Sequence, residues 1–371
     1  PHADSVVLWT RVQVPPTAEP VEVRWSIGTE PTVAGPVASG TTTTDASRDG
    51  TVKVVAGGLT GSTTYYYRFD VAGAASPIGR TRTAPSGDAD RLRFGVASCS
   101  NYGYGNFHAY RHLLRRNDLD AVIHLGDYIY EYATPTDTTG LARTHTLLHA
   151  RSLDDFRDRY ALHKGDPQLQ VAHAACPWAV TWDDHEVQND YAGDTGHDSS
   201  TAFSALRSAG FQAFYEHMPL GAACLAAPDF ASLQLHRRLA WGQLVQMHLL
   251  DGRQYRDRQA LPDTGDGHRI SNKRVWPEYH QLFGVIERQW RSLSDLRHYD
   301  RTPDADRTDR DENDHGYWFL QRKLQPRDAD LIFDYRDQIW KNYQDHRPND
   351  DDLNQSFGKY PAGRRFGSLA K

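Results

Sequence analysis

His124-Leu125-Gly126-Asp127-Tyr128-Ile129-Tyr130-Glu131 follows the apolar run Ala121-Val122-Ile123. The order predicts a buried strand that delivers an acid, a tight glycine turn and two tyrosines at its carboxyl end, where open α/β sheets keep their chemistry. The glycine lets the backbone turn sharply. Strand-Gly-Asp turns are common and tyrosines often only pack, so the octet gains meaning from what neighbouring strands place beside it.

Upstream, Leu92, Phe94 and Val96 form a strand pattern ending at Ser98-Cys99-Ser100, and Phe107, Tyr110, Leu113 and Leu114 then share one helix face. Downstream, Asp166-Pro167 reads as the N-cap and first position of a helix carrying Leu169, Ala172, His173 and Cys176 on one side. Pro177 ends it. A strand from Trp178 to Trp182 runs into Asp183-Asp184-His185-Glu186, a helix passes through Phe203, Leu206 and Phe214, and a strand from Leu244 to Leu250 ends at Asp251-Gly252-Arg253. This alternation predicts a sheet layered with helices. Four strand ends, at Cys99, Asp127, Asp184 and Asp251, would then lie along one edge of the sheet.

From Val6 to about Thr83 the rhythm is different. Val21, Val23, Trp25 and Ile27 alternate with polar residues, as do Tyr65, Tyr67, Phe69 and Val71, between Gly- and Thr-rich turns. We read a β-sandwich of immunoglobulin or fibronectin type over residues 1–84, closed by the linker Thr83 to Asp88. Beyond about Pro303 the text is strongly polar: Asp304 to Asp314 reads as a solvated loop, and Tyr317 to Leu324 and Leu331 to Tyr343 as helices.

The 371 residues are 39% hydrophobic and 24% charged, which is ordinary for a soluble globular chain of two domains. A net charge of -6 argues against nucleic acid as the main partner, since phosphate backbones select clustered Lys and Arg. No apolar run approaches the roughly 18 residues of a membrane span. The sequence opens on Pro1 without a charged and apolar leader, so we expect a targeting segment to have been removed or left out. Cys99, Cys176 and Cys224 form no CxxC repeat, which excludes a zinc ribbon. The ordinary reading of all three is as small buried hydrophobes, and Cys99 alone has neighbours that argue otherwise.

A thiol, carboxylates and a phenol converging at strand ends make a mixed soft and hard ligand set, unlike structural zinc. Asp127 could bridge two ions, with Cys99 and Tyr130 on a ferric ion and Asp184 on a harder one such as calcium. His185 could then hydrogen-bond a substrate oxygen or protonate a leaving alkoxide, while Glu186 orients the sheet end or the ring. Magnitudes favour metal if the reaction is phosphate ester hydrolysis: accelerations up to about 10²¹ amount to roughly 28 kcal/mol. Positioned acid-base groups supply only about 10² to 10⁴ of that, whereas two ions clamp phosphoryl oxygens and lower the pKa of bound water toward about 7.

Phe94-Gly95-Val96-Ala97-Ser98-Cys99, the octet itself, and Trp182-Asp183-Asp184-His185-Glu186-Val187-Gln188-Asn189-Asp190-Tyr191 closely resemble the alkaline phosphatase D (PhoD-like) family. Asp4 to Arg11 and Leu250 to Asp257 resemble further family blocks, so the likeness runs from Asp4 to Asp257. The Gly-Asp-x-x-Tyr element is also similar to that of purple acid phosphatases, where the tyrosine binds ferric iron. The resemblance implies an α+β multidomain chain, the sandwich followed over 85–371 by an α/β metallophosphoesterase domain of layered sheets flanked by helices. It implies Fe(III) on Cys99, Asp127 and Tyr130, calcium on Asp127 and Asp184, and His185 on phosphate. Asp251, Arg253 and Glu186 would brace the site. It also implies a secreted or cell-envelope protein, exported folded through the twin-arginine route.

From this we expect a metal-dependent hydrolase of phosphate esters, a phosphodiesterase with alkaline phosphomonoesterase activity and in some members a phospholipase D, acting on small phosphate esters or phospholipid head groups. The competing expectation is a catalytically degenerate surface protein that keeps the fold and a metal. One departure bears on the choice. The family carries a late strand ending Gly-Asp-x-His, and this sequence has none: His280, His298, His315 and His346 all lie in polar text without a preceding apolar strand. We therefore expect a site left open on that side, the domain being incomplete at its C-terminus, or a late histidine beside Asp127.

Overall fold

The structure is a computed structural model that describes residues 1–255 apart from 17, 116, 197–202 and 226–229. The readings on 256–371, including the two late helices and the four late histidines, lie outside the described residues. Seven strands come first: β1 (Val6–Arg11), β2 (Val21–Gly28), β3 (Ala38–Thr44), β4 (Thr51–Ala56), β5 (Thr64–Val71), β6 (Ala74–Ala75) and β7 (Gly79–Arg82). β1 pairs with β4, while β3, β2, β5 and β6 form a second antiparallel sheet in that order, with β7 also on β5. Val6, Leu8, Val52 and Ala56 from the first sheet meet Val23, Ile27, Tyr65 and Phe69 from the second in one buried cluster. Those are the inward residues of each period-two pattern.

The centre of the remaining chain is a parallel sheet in the order β10, β9, β8, made of β8 (Phe94–Ala97), β9 (Ala121–His124) and β10 (Trp178–Val180). Every residue of β9 is buried, because both faces of the sheet are covered. Val122, Trp178 and Val180 face a cluster built with four helices: α1 (His108–Leu114), α2 (Leu153–Lys164), α3 (Pro167–Ala175) and α4 (Phe203–His217). Ala121, Ile123 and Ala179 face the other way, onto Leu239, Trp241, Met247 and Leu249. These last four belong to the hairpin β11 (Arg237–Trp241) and β12 (Val245–Leu249), whose strands pair only with each other among the described residues. The expectation of four strand ends on one sheet edge is thus corrected. Cys99, Asp127 and Asp184 follow parallel strands of one sheet, while Asp251 arrives from a separate layer.

Helix α2 has no counterpart in the sequence reading. Ser152 and Asp155 form a reciprocal capping box at its start, Asp154 and Asp155 lie in its first turn, and His163 and Lys164 in its last. It buries Phe156, Arg159, Tyr160 and His163. Helix α3 matches its reading: Asp166 caps it by accepting from the Gln168 and Leu169 amides at 2.8 and 3.2 Å, with Pro167 in the first turn.

The N-terminal sheets grip the last turn of α4 through polar groups. Trp9 Nε1 donates to the Glu216 carbonyl at 2.8 Å, and Arg157 holds the Glu216 carboxylate with two bonds of 2.8 Å while also donating to the Ser47 carbonyl at 2.6 Å. His217 Nε2 lies 3.0 Å from Asp49 Oδ2. Further back along α4, Gly210 lies against the loop after β10: a Cβ there would come within 2.7 Å of the Glu186 carbonyl oxygen.

Candidate metal centre

The loops that follow β8, β9 and β10 are stitched together before any side chain is considered. The Cys99 amide donates to the Gly126 carbonyl at 3.1 Å and the Ser100 amide to the Asp127 carbonyl at 2.8 Å. Cys99 and Asp127 both take left-handed backbone conformations, φ 55° and 53°, which cost a non-glycine residue energy and cluster at functional sites. Between them Gly126 has φ 112°, and a Cβ there would fall 2.2 Å from the Asp183 amide nitrogen. Only glycine permits the β9 and β10 loops to approach this closely.

The approach gathers Asp127, Asp184 and His185, whose ligand atoms all lie within 4.8 Å of one another. Tyr130 OH donates to Asp127 Oδ2 at 3.1 Å. Asp127 Oδ1 is buried with no hydrogen-bond partner. A buried acceptor left unmatched costs about 1–3 kcal/mol, and a cation held by this carboxylate would remove that cost. The donor set of carboxylates, phenol and thiol fits the metals expected from the sequence.

Electrostatics agree with a place made for positive charge. Desolvation, then the neighbouring Asp184 and Asp183, raise the Asp127 carboxyl to about 6 against the opposing effect of His185. Cys99 is solvent-exposed, yet partial desolvation and the charges of Asp127 and Asp183 push its thiol up to about 11 against a hydrogen bond from Ser98. Desolvation and Asp127 raise the Tyr130 phenol too. All three groups resist ionising beside one another, and a bound cation would reverse that logic. Desolvation works against charge on His185, but its hydrogen bond to Glu131 and the charges of Glu131, Asp184 and Asp127 outweigh it and raise the imidazole to about 9.

Around these groups lies a second set of contacts. Glu186, fully buried, accepts the backbone amides of Tyr128, Asp183 and Asp127 at 2.7, 3.0 and 3.1 Å. Of the two tasks expected of it, it does the first: it ties the strand ends together. The imidazole is held instead by Glu131, whose Oε2 lies 2.8 Å from His185 Nδ1. Arg253 pairs with Asp183 at 2.5 Å and with Asp184 at 3.3 Å, and Asp251 Oδ1 receives Trp182 Nε1 and the Arg253 amide, each at 3.0 Å. Both therefore reach the site from the β11–β12 layer. The sequence reading gave no role to Glu131, to Asp183 or to Asp190, whose amide donates to Asp184 Oδ2 at 2.6 Å. Glu131 stood within the quoted octet, but no period links an acid in a loop to its partner.

Residues 94–302 match the family described as PhoD-like phosphatase, and residues 1–85 match that family's N-terminal domain. The chain belongs to the PhoD-like phosphatase family. Alkaline phosphatase D of Bacillus subtilis (strain 168) is 39% identical to it over 302 residues, 78% of this chain and 51% of that protein. A solved structure of PhoD aligns at a TM-score of 0.68 and 40% identity, covering 75% of this chain and 54% of its own. The chain thus spans about half the length of the PhoD-like relatives it matches. A cycloisomaltooligosaccharide glucanotransferase of Paenibacillus sp. aligns at a TM-score of 0.22 and 14% identity over 58% of this chain and 35% of its own, and carries no argument. Among the described residues no helix is long and apolar enough to cross a membrane.

Proposed function

We propose that this chain carries the metal site of a phosphate ester hydrolase that prefers diesters and also cleaves monoesters at alkaline pH. Small phosphate esters or phospholipid head groups would be its substrates. The observation that carries the reading is the cluster of Asp127, Asp184 and His185, with the buried and unpartnered Asp127 Oδ1, at the carboxyl edge of a parallel sheet. We divide the chain at residue 84, with an immunoglobulin- or fibronectin-like module ahead of a layered metallophosphoesterase domain from 85 onward, and place the protein outside the cytoplasm after export in folded form.

Cys99, Asp127 and Tyr130 would hold Fe(III), and Asp127 and Asp184 would hold calcium. Bound there, the ions would neutralise phosphoryl oxygens and supply a nucleophile at working pH. The chain's own groups do the rest. Glu186 fixes the backbone that aims Asp127, Arg253 keeps Asp183 and Asp184 in place, and His185 offers a proton to the departing oxygen.

Turnover of a chromogenic phosphodiester by the iron- and calcium-loaded chain, compared with the metal-stripped chain, tests the reading. Iron retained without turnover would instead support the metal-containing binding protein. Cys99→Ser should lose most of its iron and its visible charge-transfer band while circular dichroism stays unchanged. A fully active, iron-replete Cys99→Ser protein would make the cysteine an ordinary surface residue. His185→Ala should lower kcat by about 10² to 10⁴ with metal content nearly intact, since a proton donor acts mainly in the transition state. Parallel loss of metal and rate would make His185 a ligand.

A further inference from the structure

We infer that Glu131 is the positioning residue of His185, and that it acts on the departure of the leaving group rather than on the metal. The inference deepens the reading of His185 as a proton donor and rests on it. Glu131 is only 1% exposed, and each of its oxygens is engaged. Oε2 lies 2.8 Å from His185 Nδ1, and Oε1 accepts the Asn189 amide at 2.8 Å. The carboxylate is therefore fixed from the backbone and cannot follow the ring.

The ring itself is confined by two aromatic neighbours. Tyr130 lies 4.2 Å from it, centroid to centroid, at an interplanar angle of 31°, and Tyr132 meets it at 5.3 Å and 69°. Aromatic packing limits where the imidazole plane can lie, but does not choose which nitrogen faces which way. A carboxylate on one nitrogen makes that choice: it accepts from Nδ1–H and leaves Nε2 for the reacting partner. Tyr130, Glu131 and Tyr132 are consecutive, so one short segment supplies both rings and the carboxylate. The loop after β9 thus sets the donor that the loop after β10 carries.

A residue that positions a proton donor matters in proportion to how much the leaving group needs the proton. The test uses the metal-loaded chain and two alkyl aryl phosphodiesters, one releasing phenolate and the other the far better leaving group para-nitrophenolate. Glu131→Gln, nearly isosteric, should slow release of phenol by about 10- to 100-fold, a part of the roughly 10² to 10⁴ that a positioned proton donor supplies. It should slow release of para-nitrophenol by less than about threefold, because that oxygen departs largely unassisted. Metal content should match the parent chain. The double variant Glu131→Gln/His185→Ala should be no slower than His185→Ala alone, as expected for groups that act as a unit.

Glu131→Asp gives a second reading should Glu131→Gln fold poorly. It keeps an acceptor carboxylate one methylene short, and the same dependence on leaving group should appear with a smaller loss. Equal slowing of both substrates, losses that simply add in the double variant, or loss of metal in step with rate would each overturn the assignment. Failure of the broader reading looks different: the metal-loaded parent chain would turn over neither substrate, and both conclusions would fall together.

Discussion

Asp127→Asn should abolish turnover while making the metal-stripped chain more stable. The carboxylate is shared by every proposed ligand arrangement, so its loss removes charge from both ions. Several kcal/mol of transition-state stabilisation at 1.36 kcal/mol per decade is about a thousandfold or more in kcat/KM. The stability change has the opposite sign. Burial, with the charges of Asp184 and Asp183, raises the carboxyl from its ordinary value of 3.8 to about 6 in the fold, so the native state binds its proton more tightly than the unfolded chain. Stability therefore falls as pH rises from 3.8 through about 6 and stays lower above it, by on the order of 1–3 kcal/mol at 1.36 kcal/mol per unit. Asparagine keeps the shape, tolerates the left-handed backbone at φ 53° and carries no charge. Urea denaturation of the stripped proteins at pH 8 should show the variant more stable, and at pH 4 the gap should close. Wild-type turnover and metal content in Asp127→Asn would remove the central element of the proposed site.

Gly126→Ala should be among the most damaging small substitutions in the described fold. The new methyl would meet the Asp183 amide nitrogen at 2.2 Å and the Trp182 carbonyl carbon at 2.5 Å. Both are backbone atoms, so no rotamer change relieves the contact. A left-handed backbone at a non-glycine residue costs about 1–3 kcal/mol, and forcing extra volume into a packed site adds about 1–3 kcal/mol. We expect a loss of about 2–6 kcal/mol in chemical denaturation, with metal affinity falling further because Asp127 and Asp184 would be pushed apart. A change within about 0.5 kcal/mol would mean that the two loops do not approach as described.

The metal-site candidates were legible because each follows a short apolar run, and a run ending in a polar residue is readable without knowing its neighbours. Cys99, Asp127 and Asp184 do follow the three parallel strands, and Tyr130 and His185 lie beside Asp127. What could not be read was partnership across the chain. Glu131 reaches His185 over 54 positions and Arg253 reaches Asp183 over 70, and neither separation leaves a mark in local periodicity. Asp251 was read onto the wrong layer for a related reason. A strand pattern gives the faces of a strand but not the sheet that receives it. Helix α2 went unread although Ser152 and Asp155 spell its cap and Phe156, Tyr160 and His163 its buried face, because charged Asp154, Arg157 and Asp158 dilute the apolar signal. The family membership rested on motifs of adjacent residues, where sequence is most informative. The late Gly-Asp-x-His strand concerns a part of the chain outside the described residues.

Helix α4 turns the N-terminal sheets into a mount for the chemistry. Its last turn is bolted to Trp9, Ser47 and Asp49 partly through Arg157, and at Gly210 it touches the carbonyl of Glu186 with no room for a methyl group. From Gly210 to Glu216 is six residues, about 9 Å of helix at 1.5 Å per residue. Glu186 in turn holds the amides of Asp127, Tyr128 and Asp183. A tilt of the first sheets would therefore be transmitted along a short lever to the hinge point of the three loops. Substitutions at Trp9 or Asp49, remote from any ligand, would act like a loosened bearing: the aim of the carboxylates would drift before the fold itself gave way.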